Sequence, residues 1–288
     1  MAEKRCLLTI HAHPDDESSK GAATVARYHD LGVHTVLVCC TGGEEGDILN
    51  PAMDKPEVKE NIAEYRAKEL AAATSIIGYD EVVMLGYRDS GMPGSQSNQD
   101  PRCFAMAPIY EAVGRLVEVV RRVRPQVIVT YPEEQTRYPH PDHIRTHEIS
   151  AIAFDAAADP GAYPQAGAPF STSKLYYTVW SVGRMRAMHE KFLELGLESP
   201  FSKERISNLP EDVPYSTSID VAGYEEVRAN ALRAHATQVD PTSKMWFGLP
   251  PEVQKALPNT EEYQLARNRV GPIEVEEADL FQGLTALV

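Results

Sequence analysis

Short apolar runs alternate with longer helical patterns from Cys6 to Trp180, and this alternation constrains the fold more than any other feature of the sequence. Nearly continuous runs of aliphatic residues are typical of parallel strands that are covered on both faces. A strand, a helix and a further strand in succession favour a parallel sheet, because the helix carries the chain back across one face. The predicted strands are Cys6–His11, His34–Cys40, Glu81–Leu85, Gln126–Tyr131 and Leu175–Trp180.

Helical periodicity fills the segments between these strands. Two of the helical patterns end at Gly32 and Gly78 and a third ends at Pro125, and both residue types are common helix stop signals. The predicted helices are Glu17–Leu31, Pro56–Ile77, Ile109–Arg124 and Pro141–Ala157. We therefore predict an α/β fold with a Rossmann-like, doubly wound, mostly parallel sheet and helices on both faces.

The C-terminal part of the chain is richer in proline and serine and alternates less regularly. It still contains a strand-like run, Tyr215–Val221, and a helical pattern, Tyr224–Gln238. We predict a Rossmann-like catalytic core over residues 1–160. Residues 161–288 form a C-terminal α/β extension of the same domain that completes the cleft.

The charge balance limits the kinds of partner. There are 28 Lys and Arg against 42 Asp and Glu, a net charge of −14, which disfavours nucleic acid and anionic membrane surfaces as partners. No apolar stretch is long enough to span a bilayer, and the apolar run near the N-terminus is too short for a signal peptide. The four cysteines form no Cys-x-x-Cys pair and are interpreted as reduced core residues, so we expect a cytoplasmic protein.

Two polar segments follow the first and fourth predicted strands. His11–Glu17 and Tyr138–His143 each combine histidines and carboxylates with proline. Taken singly, the first is explained by an acidic helix N-terminus and the second by a stiff surface loop. In a doubly wound sheet both lie at the carboxyl ends of strands, where ligands bind. Together they favour a metal site of two imidazoles and a carboxylate.

Spacing alone does not decide whether Asp15 or Asp16 binds the metal. Hydrolysis uses one carboxylate as a ligand and a second, free carboxylate as general base, and adjacent acids point in different directions. A non-haem iron oxygenase is an alternative class, because His13-x-Asp15 with a distant histidine also fits a facial triad. Those enzymes usually use a β-barrel scaffold, which the strand and helix alternation disfavours.

At these residues the sequence resembles a known family. The run His13–Glu17, with the later His140–His143, resembles the LmbE-like (PIG-L) family of zinc-dependent N-deacetylases and amidases. Within that family, further strings are similar to the branch that hydrolyses mycothiol S-conjugates, and the match covers nearly the whole chain. These strings are His11–Ala23, Thr41–Glu44, Ile48–Asp54, Lys174–Tyr177 and Leu232–Gln238.

The resemblance implies a metal set and a base. Zn²⁺, with Fe²⁺ as the alternative ion in the cell, would be held by His13, Asp16 and His143. Asp15 would be the general base. Each role suits metal-assisted hydrolysis, in which the metal polarises the amide carbonyl and a free carboxylate takes a proton from water.

The resemblance also implies groups that stabilise the transition state. Tyr138 and His140 would donate hydrogen bonds to the tetrahedral oxyanion, and Asp142 would orient His140. Either Asp15 or His140 would protonate the leaving amine.

Four further residues are candidates for substrate binding. Arg66 lies in an apolar helical stripe, so it needs either a core carboxylate or a bound ligand as partner. The resemblance assigns Arg66 and Asp89 to the hydroxyls of a glucosamine–inositol unit. It also places Lys20, otherwise interpreted as a solvated lysine, near the cysteinyl part. Glu44 either lines the cleft or belongs to a polar loop.

The activity implied is hydrolysis of mycothiol S-conjugates to a glucosaminyl-inositol amine and a mercapturic acid, in detoxification or natural-product tailoring. The alternative is the N-acetyl-glucosaminyl-inositol deacetylase of mycothiol biosynthesis. The partner would be a small-molecule thiol conjugate of a glucosamine–inositol, and a homo-oligomer is compatible with the sequence. At Glu133–Arg137 the chain departs from the family's Asn-Gly-Gly turn, which should stiffen the loop and place charge at the cleft rim.

Overall fold

One seven-stranded sheet organises the chain. The computed structural model describes residues 4–134, 138–209, 215–257, 259–272 and 276–284. The strand order is β3-β2-β1-β4-β5-β7-β6, with the first five strands along the chain parallel and β7 antiparallel to both of its neighbours. The strands are β1 (Cys6–His11), β2 (His34–Thr41), β3 (Glu81–Tyr87), β4 (Val127–Thr130), β5 (Lys174–Val179), β6 (Thr217–Asp220) and β7 (Thr260–Asn268). This arrangement confirms the predicted fold class.

Helices cover both faces of the sheet. Side chains alternate along β1, so Leu8 and Ile10 pack with α5 and α6 whereas Leu7 packs with α2, α4 and α9. Short 3₁₀ turns cover residues Gln96–Gln99 and Phe104–Met106. The helices are α1 (Asp16–Ser19), α2 (Ala22–Asp30), α3 (Pro56–Glu60), α4 (Ile62–Ile77), α5 (Ile109–Val123), α6 (Pro141–Ala156), α7 (Val182–Glu194), α8 (Lys203–Ser207), α9 (Glu225–Ala234), α10 (Lys244–Phe247) and α11 (Pro251–Gln254).

The central strands β1 and β4 create the ligand-binding edge. β1 pairs with β2 on one side and with β4 on the other, so the strand order reverses between them. A crevice opens at the carboxyl ends of strands at such a reversal. The segments after β1 and β4 therefore meet there.

The structure corrects several predicted elements. Glu17–Leu31 is two helices because Gly21 adopts φ +97° between them, a left-handed conformation that favours glycine. Pro56–Ile77 is likewise divided, at Asn61. β3 is an edge strand, and its Met84 is 44% exposed, so full coverage of both faces does not hold for this strand.

The C-terminal region contributes β6 and β7 to the same sheet. β7 was not predicted from the sequence, and its pairing with β5 makes the sheet continuous across residue 160. The division into a core and an extension at that point stays a prediction. Across the described residues, no helix has the length and apolar character needed to cross a membrane.

Candidate metal centre

Three side chains converge at the switch point of the sheet. His13 and Asp16 follow β1, and His143 lies in the first turn of α6. Their ligand atoms lie within 4.8 Å of one another, with Asp16 Oδ2 3.4 Å from His13 Nδ1 and 3.3 Å from His143 Nε2. Two ligands about 2.0–2.2 Å from a tetrahedral ion lie roughly 3.3–3.6 Å apart. The donor set therefore fits a zinc-like ion in both chemistry and spacing.

The protonation of two of these donors, His143 and Asp16, favours metal binding. Burial lowers the pKa of His143 to about 4, so the imidazole is neutral at physiological pH and keeps a lone pair for a metal. Burial alone would raise the pKa of Asp16, but Lys20 and His143 hold it well below its usual range. Tyr131 also donates a hydrogen bond to Asp16 Oδ2, over 2.6 Å, and was not singled out from the sequence.

Asp142 supports His13 from behind. Its Oδ2 lies 3.2 Å from His13 Nε2 and accepts the backbone N–H of Ser90, and its Oδ1 accepts the Ser90 hydroxyl. A carboxylate on the far nitrogen of a ligand histidine fixes the ring and its tautomer. We predicted that Asp142 orients His140. In the structure its carboxylate contacts His13, and its backbone N–H donates to His140 Nδ1, so the orienting role towards His140 stays a prediction.

Asp15 is held beside the three donors but is not one of them. It adopts φ +118°, a left-handed conformation that is rare for a residue with a Cβ. Its Oδ2 lies 3.2 Å from Arg66 Nη2, and its backbone N–H donates to Glu17 Oε2 over 2.8 Å. Burial raises the pKa of Asp15, and Arg66 opposes this shift. A strained backbone that persists at such a place is a mark of functional positioning.

Arg66 has found an internal partner. Its guanidinium is buried and donates to the carbonyl oxygens of Gly43 and Pro14 as well as to Asp15. From the sequence we expected either a carboxylate or a bound ligand beside Arg66, and the structure places the carboxylate of Asp15 there. Arg66 also lines the cleft, and its predicted contact with substrate hydroxyls stays a prediction.

Tyr138 and His140 stand over the same site. His140 Nδ1 accepts the backbone N–H of Asp142, and burial together with His13 lowers the pKa of His140. The neutral ring therefore carries its proton on Nε2 and has a donor to offer. Tyr138 is 51% exposed, and its ring centroid lies 5.2 Å from that of His143. Both side chains line the cleft with the three donors, and their contact with the oxyanion stays a prediction.

Glu17 and His235 form a buried pair that the sequence did not reveal. Both are fully buried, and His235 Nε2 lies 2.6 Å from Glu17 Oε1. The other oxygen of Glu17 accepts the N–H of Asp15. His235 directly follows α9, and Glu17 lies in α1. This pair therefore connects the C-terminal region to the candidate base.

Comparison with known proteins decides the family. The sequence profile of the PIG-L family, described as GlcNAc-PI de-N-acetylase, matches residues 8–154. The chain belongs to the PIG-L family. Family membership places it among hydrolases of amide bonds and confirms the predicted resemblance, and it gives no support to the oxygenase alternative.

Relatives of this PIG-L protein carry two different names. It is 44% identical to a mycothiol S-conjugate amidase of Streptomyces coelicolor, with 99% of each chain covered. It is 41% identical to a 1D-myo-inositol 2-acetamido-2-deoxy-alpha-D-glucopyranoside deacetylase of Streptomyces avermitilis, with 97% of each covered. An N,N'-diacetylchitobiose deacetylase from Pyrococcus horikoshii shares the fold, with TM-score 0.61 and 16% identity over 91% and 84% of the two chains.

Of the other residues predicted to bind substrate in this PIG-L protein, Lys20 and Asp89 line the cleft and Glu44 does not. Lys20 binds Asp16 Oδ1 over 2.5 Å and lines a cleft of about 360 Å³, so it is not simply solvated. Asp89 also lines the cleft, where its Oδ1 lies 3.5 Å from His13 Nε2. Of the neighbouring acids after β2, Glu45 lines the cleft in the described part of the chain and Glu44 does not. In the departing loop, residues 135–137 lie outside the described residues.

We expect the His235→Ala variant to lose both stability and turnover. Without its imidazole partner the buried Glu17 carboxylate is left short of a donor, which costs about 1–3 kcal/mol of the free energy of unfolding. His235 also holds Glu17, which accepts the backbone N–H of Asp15. Asp15 is then less firmly positioned, so kcat should fall more than KM rises. Urea unfolding and steady-state kinetics check both effects. His235→Gln, which keeps a donor, should recover part of kcat, and the partly exposed His34→Ala should change neither quantity.

Proposed function

We propose that this chain hydrolyses the amide bond of mycothiol S-conjugates, with Zn²⁺ held by His13, Asp16 and His143. The observation that carries the proposal is a converged metal donor set with a separate, partly buried carboxylate, Asp15, held beside it. A hydrolase needs these two functions on two different groups. The 44% identity to an amidase of such conjugates supports the choice of substrate. The products would be glucosaminyl-inositol and an N-acetylcysteine S-conjugate.

The chain's own residues would move the protons. Bound zinc would polarise the amide carbonyl and acidify water. Asp15 accepts a proton from the attacking water, whose oxygen forms the new C–O bond. His140 Nε2–H and the Tyr138 hydroxyl donate to the oxygen that gains negative charge. The C–N bond then breaks, and the amine leaves with the proton that Asp15 took from the water.

Asp142 and Asp89 keep His13 in place during these steps. Their carboxylate oxygens lie 3.2 and 3.5 Å from His13 Nε2. They fix the ring so that Nδ1 faces Asp16, 3.4 Å away. Because the His13 ring is already oriented, it needs little rearrangement when the substrate binds.

The test compares two substrates that share the glucosaminyl-inositol half. One is the S-benzyl conjugate of mycothiol, and the other is N-acetyl-glucosaminyl-inositol. Release of the free amine is measured on protein stripped with a chelator and then titrated with Zn²⁺ or Fe²⁺. We expect activity to return at one Zn²⁺ per chain, with the larger kcat/KM for the conjugate. A larger kcat/KM for the acetyl sugar would establish the deacetylase instead, and activity that survives stripping would contradict the metal assignment.

The cellular context stays a prediction. The four cysteines are free and buried, as the sequence suggested. We propose a cytoplasmic enzyme with a small-molecule substrate, in detoxification or in tailoring of a thiol-conjugated product. The named relatives act on small molecules and give no indication of nucleic acid as a partner.

A further inference from the structure

A second pocket opens beside the candidate metal centre. We call it the tryptophan pocket. Its apolar lining comes from the end of β5, from α7, from the segment before α8 and from α10. These residues are Trp180, Met185, Met188, Phe201, Met245 and Trp246. The mechanism proposed above uses none of them.

The tryptophan pocket borders the catalytic cleft. Ser19, Lys20 and Trp246 line both spaces. Lys20 itself binds Asp16, one of the three candidate ligands. The side chain of Lys20 therefore lies between the pocket and the candidate metal ligand Asp16.

The polar part of the catalytic cleft and the tryptophan pocket lie on opposite sides of the metal donors along the sheet. Glu45 and Asp89 follow β2 and β3 and form a polar wall. The tryptophan pocket lies by β5 and β7, and the metal donors follow β1 and β4 between the two. A substrate whose amide lies at the donors therefore extends both ways. The polyhydroxylated half suits the polar wall, which leaves the acyl half for the tryptophan pocket.

The lining of the pocket suits one aromatic ring. Trp180 and Trp246 meet edge to face, with ring centroids 5.9 Å apart, and three methionines supply flexible, polarisable thioethers. The cavity volume of about 70 Å³ is roughly five times what one water molecule needs. A single six-membered ring has about that bulk.

Arg228 adds a positive charge to the lining of the pocket. Among the described residues it makes no hydrogen bond and no ion pair within 4 Å, although it lines the pocket. The nearby carboxylate of Glu261 is engaged by the backbone N–H and hydroxyl of Thr24, at 2.9 and 2.7 Å. Arg184 lines the same pocket and donates to the carbonyl oxygen of Thr260. Glu262, which also lines the pocket, accepts the hydroxyl of Thr260 over 2.5 Å. A guanidinium that makes no such bond, beside aromatic and methionine side chains, favours an acidic group on the ligand.

We propose that the tryptophan pocket is an acyl-side subsite for an aromatic group that carries an acidic substituent and is attached to the sulfur of the conjugate. The proposal rests on the proposed function, because that function places the scissile amide at the metal centre. It predicts that the enzyme selects its substrates by the S-substituent. It also assigns Arg228 as the residue that recognises the acid.

Binding can be measured without any turnover. The chain contains two tryptophans, and both line this pocket, so intrinsic fluorescence reports on it directly. The probes are the N-acetylcysteine derivatives with S-methyl, S-benzyl and S-(4-carboxybenzyl) groups. We expect the carboxybenzyl probe to bind about tenfold more tightly than the benzyl probe, because a charge-assisted hydrogen bond is gained. The methyl probe should bind most weakly.

Arg228→Gln tests the assignment of the acid. It should bring the Kd of the carboxybenzyl probe to that of the benzyl probe, within about twofold. The matched control is Arg233→Gln on the same helix, since Arg233 is exposed and does not line the pocket. The control should keep the tenfold difference. Equal affinities of all three probes for the unmodified protein, or an Arg228→Gln variant that keeps the difference, would overturn the proposal.

Turnover of the corresponding mycothiol conjugates separates the two proposals. If kcat/KM follows the order of the probe affinities, both are supported. If the probes bind in the expected order but no conjugate is hydrolysed, the proposed function fails and the pocket assignment stands. If all conjugates are hydrolysed equally and the probes leave the fluorescence unchanged, the pocket proposal fails and the function stands.

Discussion

Replacement of Asp15 by asparagine is expected to lower kcat by about 10²–10⁴-fold while the protein still binds one Zn²⁺ per chain. A positioned general base contributes an effect of this size. Asparagine keeps the shape of the side chain and can still lie beside Arg66, 3.2 Å away in the present structure. It cannot accept the proton of the attacking water. The loss should therefore appear in kcat with little change in KM.

The metal content of each variant separates a base from a ligand. Asp16→Asn is the matched control, because the neighbouring carboxylate lies 3.3–3.4 Å from both histidine donors. We expect this control to lose zinc and activity together. Zinc per chain is measured by atomic emission, and turnover is measured on the same samples. An Asp15→Asn protein that loses zinc in proportion to activity would show that Asp15 is a ligand rather than the base.

The parallel half of the fold could be predicted because its signals are local. Each of the first five strands is a compact run of mainly apolar residues between helix stop signals, and each appears in the structure within two residues of its predicted ends. β7 has no such signal. Its Glu261 is buried, and the donors that satisfy it come from Thr24, 237 residues away. A buried carboxylate looks like a surface residue until its partner is known.

For the candidate site, too, the sequence predicts the grouping of the metal donors but not their hydrogen-bond partners. Metal donors cluster because strand order brings the ends of β1 and β4 together, which follows from topology alone. Side-chain partners do not follow from topology. The Asp142 carboxylate reaches His13, and His235 reaches Glu17 across 218 residues of sequence. Such contacts depend on rotamers and on the docking of α9, which one sequence does not specify.

Glu277 attaches the C-terminal segment to β5 through Lys174. We therefore expect the Glu277→Ala variant to lose stability. Lys174 and Glu277 are each 1% exposed and form an ion pair. The hydroxyl groups of Tyr176 and Thr217 also donate to Glu277, over 2.6 and 3.1 Å. Removing one member of a buried pair leaves the other charge unpaired in the interior. We expect the free energy of unfolding to fall by about 3–5 kcal/mol.

A double variant distinguishes an unpaired charge from lost packing. Glu277→Gln keeps acceptors for Tyr176 and Thr217 but leaves Lys174 unpaired, so it should also be strongly destabilised. Adding Lys174→Met removes that charge, and we expect most of the lost stability to return, because no unpaired charge then remains in the interior. Urea unfolding followed by circular dichroism gives all three values. At the exposed pair Lys244–Glu198, the control Glu198→Gln should cause no measurable change. If Lys174→Met instead deepens the loss, the unpaired charge of Lys174 is not the cause of the destabilisation. The other contacts of the Lys174 side chain, such as that of Nζ with the Tyr176 hydroxyl at 3.2 Å, would then hold the C-terminal segment.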